Sequence, residues 1–296
     1  MKQLTGTGVA LVTPFNEHLE LDLEALANVV RHGIQGGVDY LVVLGTTGES
    51  VTLSKQEKEA VIQTVIEVNK GQLPLVLGMG GNNTRALIKE FQETNLDPFD
   101  AILSVSPYYN KPTQEGIYQH YRALALASSK PVILYNVPGR TGSNILPETT
   151  LRLARDFENI IGVKEASGNM GQIREILAGM PAGFMVISGD DATARETIEH
   201  GGHGVISVLG QALPEPFTAM IKAAMRGEQE EAKALEKQLL QAMDLIFQEG
   251  NPAGIKAMFE VLGLCGAGVR LPLVEASDSL KARIAECVRT LEQIQA

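Results

Sequence analysis

Short apolar runs recur along the chain at residues 8–12, 40–44, 75–77, 101–105, 132–135, 160–163, 184–187 and 204–208. Each is continuous rather than alternating, the pattern of a strand covered on both faces in a parallel sheet. Their spacing of roughly 20–35 residues is that of a βα unit. Between the runs the apolar positions switch to helical spacing. Asp22 precedes Leu26, Val29, Val30 and Ile34, and Gly36-Gly37 closes that segment. Ser54-Lys55-Gln56-Glu57 has the form of a capping box, opening a helix that runs to Asn69-Lys70-Gly71. Asp191 opens another, which stops at Gly201-Gly202.

Eight strand–helix units in series, without a low-complexity linker, predict an α/β fold: a closed (β/α)8 TIM barrel rather than an open sheet. Beyond residue 226 the strand signal stops, and segments 228–247, 253–262 and 276–295 read as helices. The expected organisation is a barrel over residues 1–226 and a C-terminal helical extension over residues 227–296.

Composition narrows the function classes. Of 296 residues 44% are hydrophobic and 20% charged, a globular balance. The formal net charge of −10 argues against nucleic acid or an anionic membrane as main partner. Met1-Lys2-Gln3-Leu4-Thr5-Gly6 lacks the apolar run of a signal peptide, and no stretch approaches the roughly 18 apolar residues of a membrane span. Cys265 and Cys287 have neither metal nor redox spacing. A protein of the reducing cytoplasm is expected.

In a (β/α)8 barrel the working residues sit at the C-terminal ends of the strands. Lys164 follows a buried run, and lysine is rarely buried without a partner or a purpose. Burial disfavours the charged amine, and the neutral amine is the form that attacks a carbonyl. The plainer alternative is an ion pair with Glu165 or a side chain in solvent. Tyr135 ends the preceding run, where a phenol can shuttle protons or simply pack with its hydroxyl satisfied. Thr46 and Thr47 offer hydroxyls and N–H groups to a carboxylate, although a glycine-flanked pair is often an ordinary turn. Arg140 follows Pro138-Gly139, where a guanidinium either clamps a carboxylate or lies in solvent. Gly78-Met79-Gly80-Gly81 lacks the full dinucleotide fingerprint, and His200 and His203 lack the companions of a metal site.

Three ordered motifs carry a resemblance. Gly45-Thr46-Thr47-Gly48-Glu49-Ser50, Tyr135-Asn136-Val137-Pro138-Gly139-Arg140-Thr141-Gly142 and Gly162-Val163-Lys164-Glu165-Ala166-Ser167-Gly168 closely resemble the dihydrodipicolinate synthase family. That family belongs to the pyruvate-dependent class I aldolases, with N-acetylneuraminate lyase. The resemblance covers essentially the whole chain. It implies a lyase of lysine and diaminopimelate biosynthesis that condenses pyruvate with L-aspartate 4-semialdehyde, without metal or organic cofactor.

In residue terms it implies Lys164 as the Schiff-base nucleophile and Tyr135 as the general acid–base, with Thr46 and Tyr109 as its relay partners. Thr46 and Thr47 match the pyruvate-carboxylate cradle, the backbone at Ile206 the pocket floor, and Arg140 the receiver of the semialdehyde carboxylate. The tyrosine matching Tyr109 crosses a dimer interface in this family, and a homotetramer, a dimer of dimers, is implied. An N-acetylneuraminate lyase or 2-keto-3-deoxy sugar-acid aldolase is the runner-up, and a barrel retained only for binding is a third reading. Feedback-sensitive members carry histidines and a glutamate in a lysine effector pocket; Lys55, Lys58 and Ala86 stand there instead. Weak or absent inhibition by lysine is expected.

Overall fold

The continuous apolar runs form strands because a parallel ladder buries both faces of each one. The computed structural model describes residues 4–295; the polar start at residues 1–3 lies outside them. The strands are β1 (Gly6–Ala10), β2 (Tyr40–Val43), β3 (Leu75–Gly78), β4 (Ala101–Val105), β5 (Val132–Asn136), β6 (Ile160–Glu165), β7 (Met185–Ser188) and β8 (Gly204–Ser207). Each pairs in parallel with the next, and β8 closes on β1 through Gly6↔Gly204 to Val9↔Ser207. The architecture is the expected (β/α)8 TIM barrel.

Two strand ends differ from the apolar runs for a physical reason. β1 stops at Ala10 because the N–H of Val12 donates to the Gln211 side chain, at 2.9 Å, instead of to a neighbouring strand. β6 runs on past Val163 to Glu165, paired as Tyr135↔Lys164 and Asn136↔Glu165. The ladder uses backbone groups, so polar side chains do not end it.

Leu4, Val42, Val76, Leu103, Ile133 and Ile206 fill the barrel interior around the fully buried Tyr40. Burying such side chains contributes roughly 1.5–3 kcal/mol each. Gly8 makes room for the ring, because a Cβ there would lie 2.1 Å from Tyr40 Cε2.

Outside, Asp22 caps the helix Leu23–Gln35, and Ser54 and Glu57 form the expected reciprocal box on Lys55–Asn69. A cap of this kind is worth about 1 kcal/mol. The helix Asp191–Glu199 begins where expected, but its capping side chain is Asp190; Asp191 turns inward and is buried. The C-terminal helices Gln229–Leu245, Ala253–Val261 and Asp278–Gln295 are present. Gln229–Leu245 packs on Pro214–Met225 and Asp191–Glu199, and its Leu239, Ala242 and Met243 share one apolar cluster with Ile198 and Phe217 of the barrel helices. Among the described residues no helix is long and apolar enough to cross a membrane.

Candidate active site

The C-terminal ends of the strands open into a cavity of about 1470 Å³ that continues into a groove beside the helix Lys55–Asn69. Lys164, Tyr135, Thr46, Thr47 and Arg140 all line it. Two strands and two strand-end turns, scattered over more than a hundred residues of chain, meet there because the barrel closes.

Lys164 is 5% exposed, and its Nζ lies 4.4 Å from the centre of the Tyr135 ring. The register of β5 with β6 sets that contact, placing Tyr135 directly opposite Lys164. The negative face of a phenol ring favours a nearby cation, by about 0.5–2 kcal/mol. On the other side, Gly189 leaves space for the lysine: a Cβ there would stand 3.1 Å from Lys164 Cε and 2.5 Å from Ala166 Cβ.

The alternative of a Lys164–Glu165 ion pair does not occur. Successive residues of a strand point to opposite faces, and Glu165 points into a separate buried network. Its carboxylate accepts hydrogen bonds from Asn136 Nδ2 at 2.9 and 3.1 Å, from Gln172 Nε2 at 2.9 Å and from the Ser167 N–H at 2.8 Å. No ion pair to Lys164 is present among the described residues.

The threonine pair forms a one-turn helix, Thr46–Gly48, after Leu44 and before Glu49. Glu49, which ends the turn, adopts left-handed backbone at φ 51°, as does Leu44 at φ 59°, one residue before the extended N-cap Gly45. Thr46 is exposed in the cavity, whereas Thr47 is buried and its Oγ1 accepts from Asn251 Nδ2 at 3.0 Å. Thr13 Oγ1 donates to the Gly48 carbonyl at 2.7 Å, tying the turn to the end of β1. Arg140 sits on the short helix Pro138–Thr141, and its Nη2 donates to the Asn251 carbonyl at 3.3 Å. Asn251 therefore bridges the two groups that sequence reading assigned to separate carboxylates.

Two named residues are not brought together with these. Tyr109 is 88% exposed, at φ 71°, and does not line the cavity of its own chain, while its neighbour Tyr108 does. The loop is held in this form by Asn82 Nδ2 donating to the Tyr108 carbonyl and by the Tyr109 N–H donating to Thr141. Ile206 is fully buried in the barrel interior, in one apolar cluster with Tyr135, and does not line the cavity.

Asp191 was legible only as a helix start. Its carboxylate accepts from the N–H groups of Leu209 at 2.8 Å and Val208 at 3.3 Å, so it holds the loop after β8. Burial pushes its pKa up to about 6, against the opposing pull of the Ser207 hydroxyl and those N–H groups. Asn251 had no signal at all, because it follows the last strand by more than forty residues. His203 accepts from the Val186 N–H through Nδ1, a structural contact, and no group of three or more His, Cys, Asp or Glu among the described residues is placed to hold a metal ion. Lys55, Lys58 and Ala86 line the groove that extends from the cavity.

The cavity thus brings a buried amine, a phenol, two threonine hydroxyls and a guanidinium to one rim. Residues 3–291 match the model of the Dihydrodipicolinate synthetase family. The chain is 53% identical, over 96% of its length and 97% of the relative's, to a 4-hydroxy-tetrahydrodipicolinate synthase of Flavobacterium psychrophilum. Among solved structures it is similar to the dihydrodipicolinate synthase of Thermotoga maritima, at 37% identity and a TM-score of 0.95 over 97% of this chain and 98% of that one. It is equally similar to the chloride-inhibited enzyme of Acinetobacter baumannii complexed with pyruvate, at 37% identity and a TM-score of 0.94 over 98% and 99% of the two chains. The chain belongs to the dihydrodipicolinate synthetase family.

Proposed function

We propose that this family member is a lyase that condenses pyruvate with L-aspartate 4-semialdehyde through a Schiff base on Lys164, in the diaminopimelate route to lysine. The observation that carries the reading is the buried, unpaired Lys164 amine, seated against Tyr135 and open to the cavity. A lysine amine that reaches such a cavity is a group able to add to a carbonyl and form an imine.

In the proposed sequence the neutral amine of Lys164 adds to C2 of pyruvate, and loss of water leaves a protonated imine. That cation accepts the electron pair of a C3–H bond as the methyl proton departs, giving an enamine. The enamine carbon attacks the aldehyde carbon, forming the C–C bond, and the alkoxide takes up a proton. The substrate's own amine then adds to C2 and expels the free lysine, closing the ring. Tyr135 is the group positioned to carry protons at these steps. The turn Thr46–Gly48 offers N–H and hydroxyl donors to the pyruvate carboxylate, and Arg140 faces the same cavity as the receiver of the second carboxylate.

Tyr109 completes this scheme only from a second copy. Its ring is exposed and outside its own cavity, so the proposed relay of Thr46, Tyr135 and Tyr109 requires at least a dimer, with a tetramer the proposed assembly. A cytoplasmic location is proposed with it. The test is an assay with pyruvate and the semialdehyde, coupled to a dihydrodipicolinate reductase, beside N-acetylneuraminate cleavage and a Lys164→Ala control. Turnover that vanishes in the variant supports the assignment. No turnover, with pyruvate still trapped on Lys164 by borohydride, would keep the aldolase and overturn the substrate.

A further inference from the structure

Beneath the threonine turn lies a buried charge pair that takes no part in the proposed chemistry. Lys256 and Glu49 are both fully buried, with Nζ 2.5 Å from Oε1. Lys256 also donates to the Gly268 carbonyl at 2.8 Å, and Glu49 Oε2 accepts from the Arg270 N–H at 2.9 Å. The Lys256 amine and the Arg270 guanidinium both sit over the Phe15 ring, at 4.2 and 4.4 Å. Arg270 reaches on to the carbonyls of Leu19 and Thr52 and to Glu57.

Stability alone gives no account of this arrangement. Removing two charges from water is expensive, and apolar residues of similar volume often serve as well or better. Glu49 also occupies left-handed backbone, φ 51°, where glycine is the unstrained choice. Both unfavourable choices fall on the residue that terminates the Thr46–Gly48 turn, with the Glu49 N–H donating to the Thr46 carbonyl at 3.1 Å.

We infer that Glu49, gripped by Lys256 and the Arg270 backbone, is a positioning residue that fixes the Thr46-Thr47 donors for a substrate carboxylate. The C-terminal extension thereby acts on substrate binding without touching substrate. This rests on the reading of the threonine turn as the receiver of the pyruvate carboxylate. If the clamp is released, the turn is free to relax from its strained end at Glu49, and the donors lose their common aim. The loss falls on the carboxylate and not on the carbonyl that Lys164 attacks.

The test uses the full chain with Glu49→Gln, and with the pair Glu49→Gln and Lys256→Met, which removes both charges so that neither is left buried alone. Imine formation on Lys164 is titrated by borohydride trapping, with pyruvate and with hydroxyacetone, a small ketone that lacks the carboxylate. The expected result is a roughly 10-fold higher half-saturating pyruvate concentration in the pair variant, as for one lost charge-assisted contact. Hydroxyacetone trapping should stay within about 2-fold of the parent, with Glu49→Gln shifting pyruvate in the same direction by less. Equal losses for both ketones would mean a merely structural pair, and unchanged titrations for both would mean no role; either overturns the inference. A parent protein that traps hydroxyacetone but shows no preference for pyruvate would instead remove the cradle reading, and the positioning role with it.

Discussion

Lys164 and Tyr135 stand opposite each other on adjacent strands, with the amine 4.4 Å from the ring centre. The ring is thus a seat for the amine, a contact that does not use the hydroxyl. Tyr135→Phe separates the two. The seat remains, so pyruvate should still be trapped on Lys164, while kcat falls by roughly 100-fold or more through loss of the proton carrier. A kcat within a few-fold of the parent would exclude the phenol from proton transfer.

Among the described residues the Arg140 guanidinium makes one long hydrogen bond, to the Asn251 carbonyl, and it lines the cavity. Its guanidinium is therefore available to a ligand. Arg140→Ala should raise KM for the semialdehyde by roughly 10- to 100-fold, the loss of a charged hydrogen-bonded contact. The pyruvate concentration needed for half-trapping should barely move. An equal effect on both substrates would place the arginine at a shared step.

Tyr109 can be tested by mixing two inactive proteins. Tyr109→Ala and Lys164→Ala, unfolded and refolded together, should regain about a quarter of parental activity. Half of randomly assembled pairs are mixed, and each mixed pair rebuilds one of its two sites. No recovery, with mixed pairs demonstrated by mass spectrometry, would confine Tyr109 to its own chain.

Lysine should be a poor inhibitor. Lys55 and Lys58 stand in the groove where the resemblance puts the effector pocket's histidines, and Ala86 where it puts the glutamate. An incoming ammonium therefore meets like charge there and loses that carboxylate, although Glu59, Glu90 and Glu93 line the same groove. Half-inhibition is expected only above about 1 mM, and a sub-millimolar value in a steady-state assay would contradict it.

Asp191 gives a pH signature. Its folded pKa of about 6 lies above the ordinary carboxylate value of 3.8, because burial disfavours the carboxylate. The folded state therefore holds the proton more tightly than the unfolded state. The group's contribution is most favourable below about pH 4 and is lost as pH rises through about 6. The ceiling is about 3 kcal/mol. Asp191→Asn, which cannot ionise, should gain in Tm relative to the parent across that window, as read by thermal melts at a series of pH values. A constant Tm difference would mean that Asp191 does not titrate there.

Much of this was readable from the chain. Periodicity located the strands because both faces of each are buried, and strand ends then pointed to Thr46, Tyr135 and Lys164. What periodicity cannot reach is a contact across the molecule. Asn251 and Lys256 lie on the helical extension, where no strand-end rule applies, yet they hold Thr47 and Glu49. Lys256 did leave a trace, being the lone charge in Gly254-Ile255-Lys256-Ala257-Met258-Phe259. Glu165 read as a partner for Lys164 because neighbours in sequence look like neighbours in space; the alternation of a strand sends them apart.

The link from Glu49 to Lys256 spans 207 residues, and it sets an order of events during synthesis. All eight strands, and Lys164 with them, have been translated by residue 207. The threonine turn gains its last supports only when residues 251, 256 and 270 have followed. A nascent barrel emerging from the ribosome thus carries Lys164 before it carries the finished threonine turn, and the proposed site is completed only with the final part of the chain.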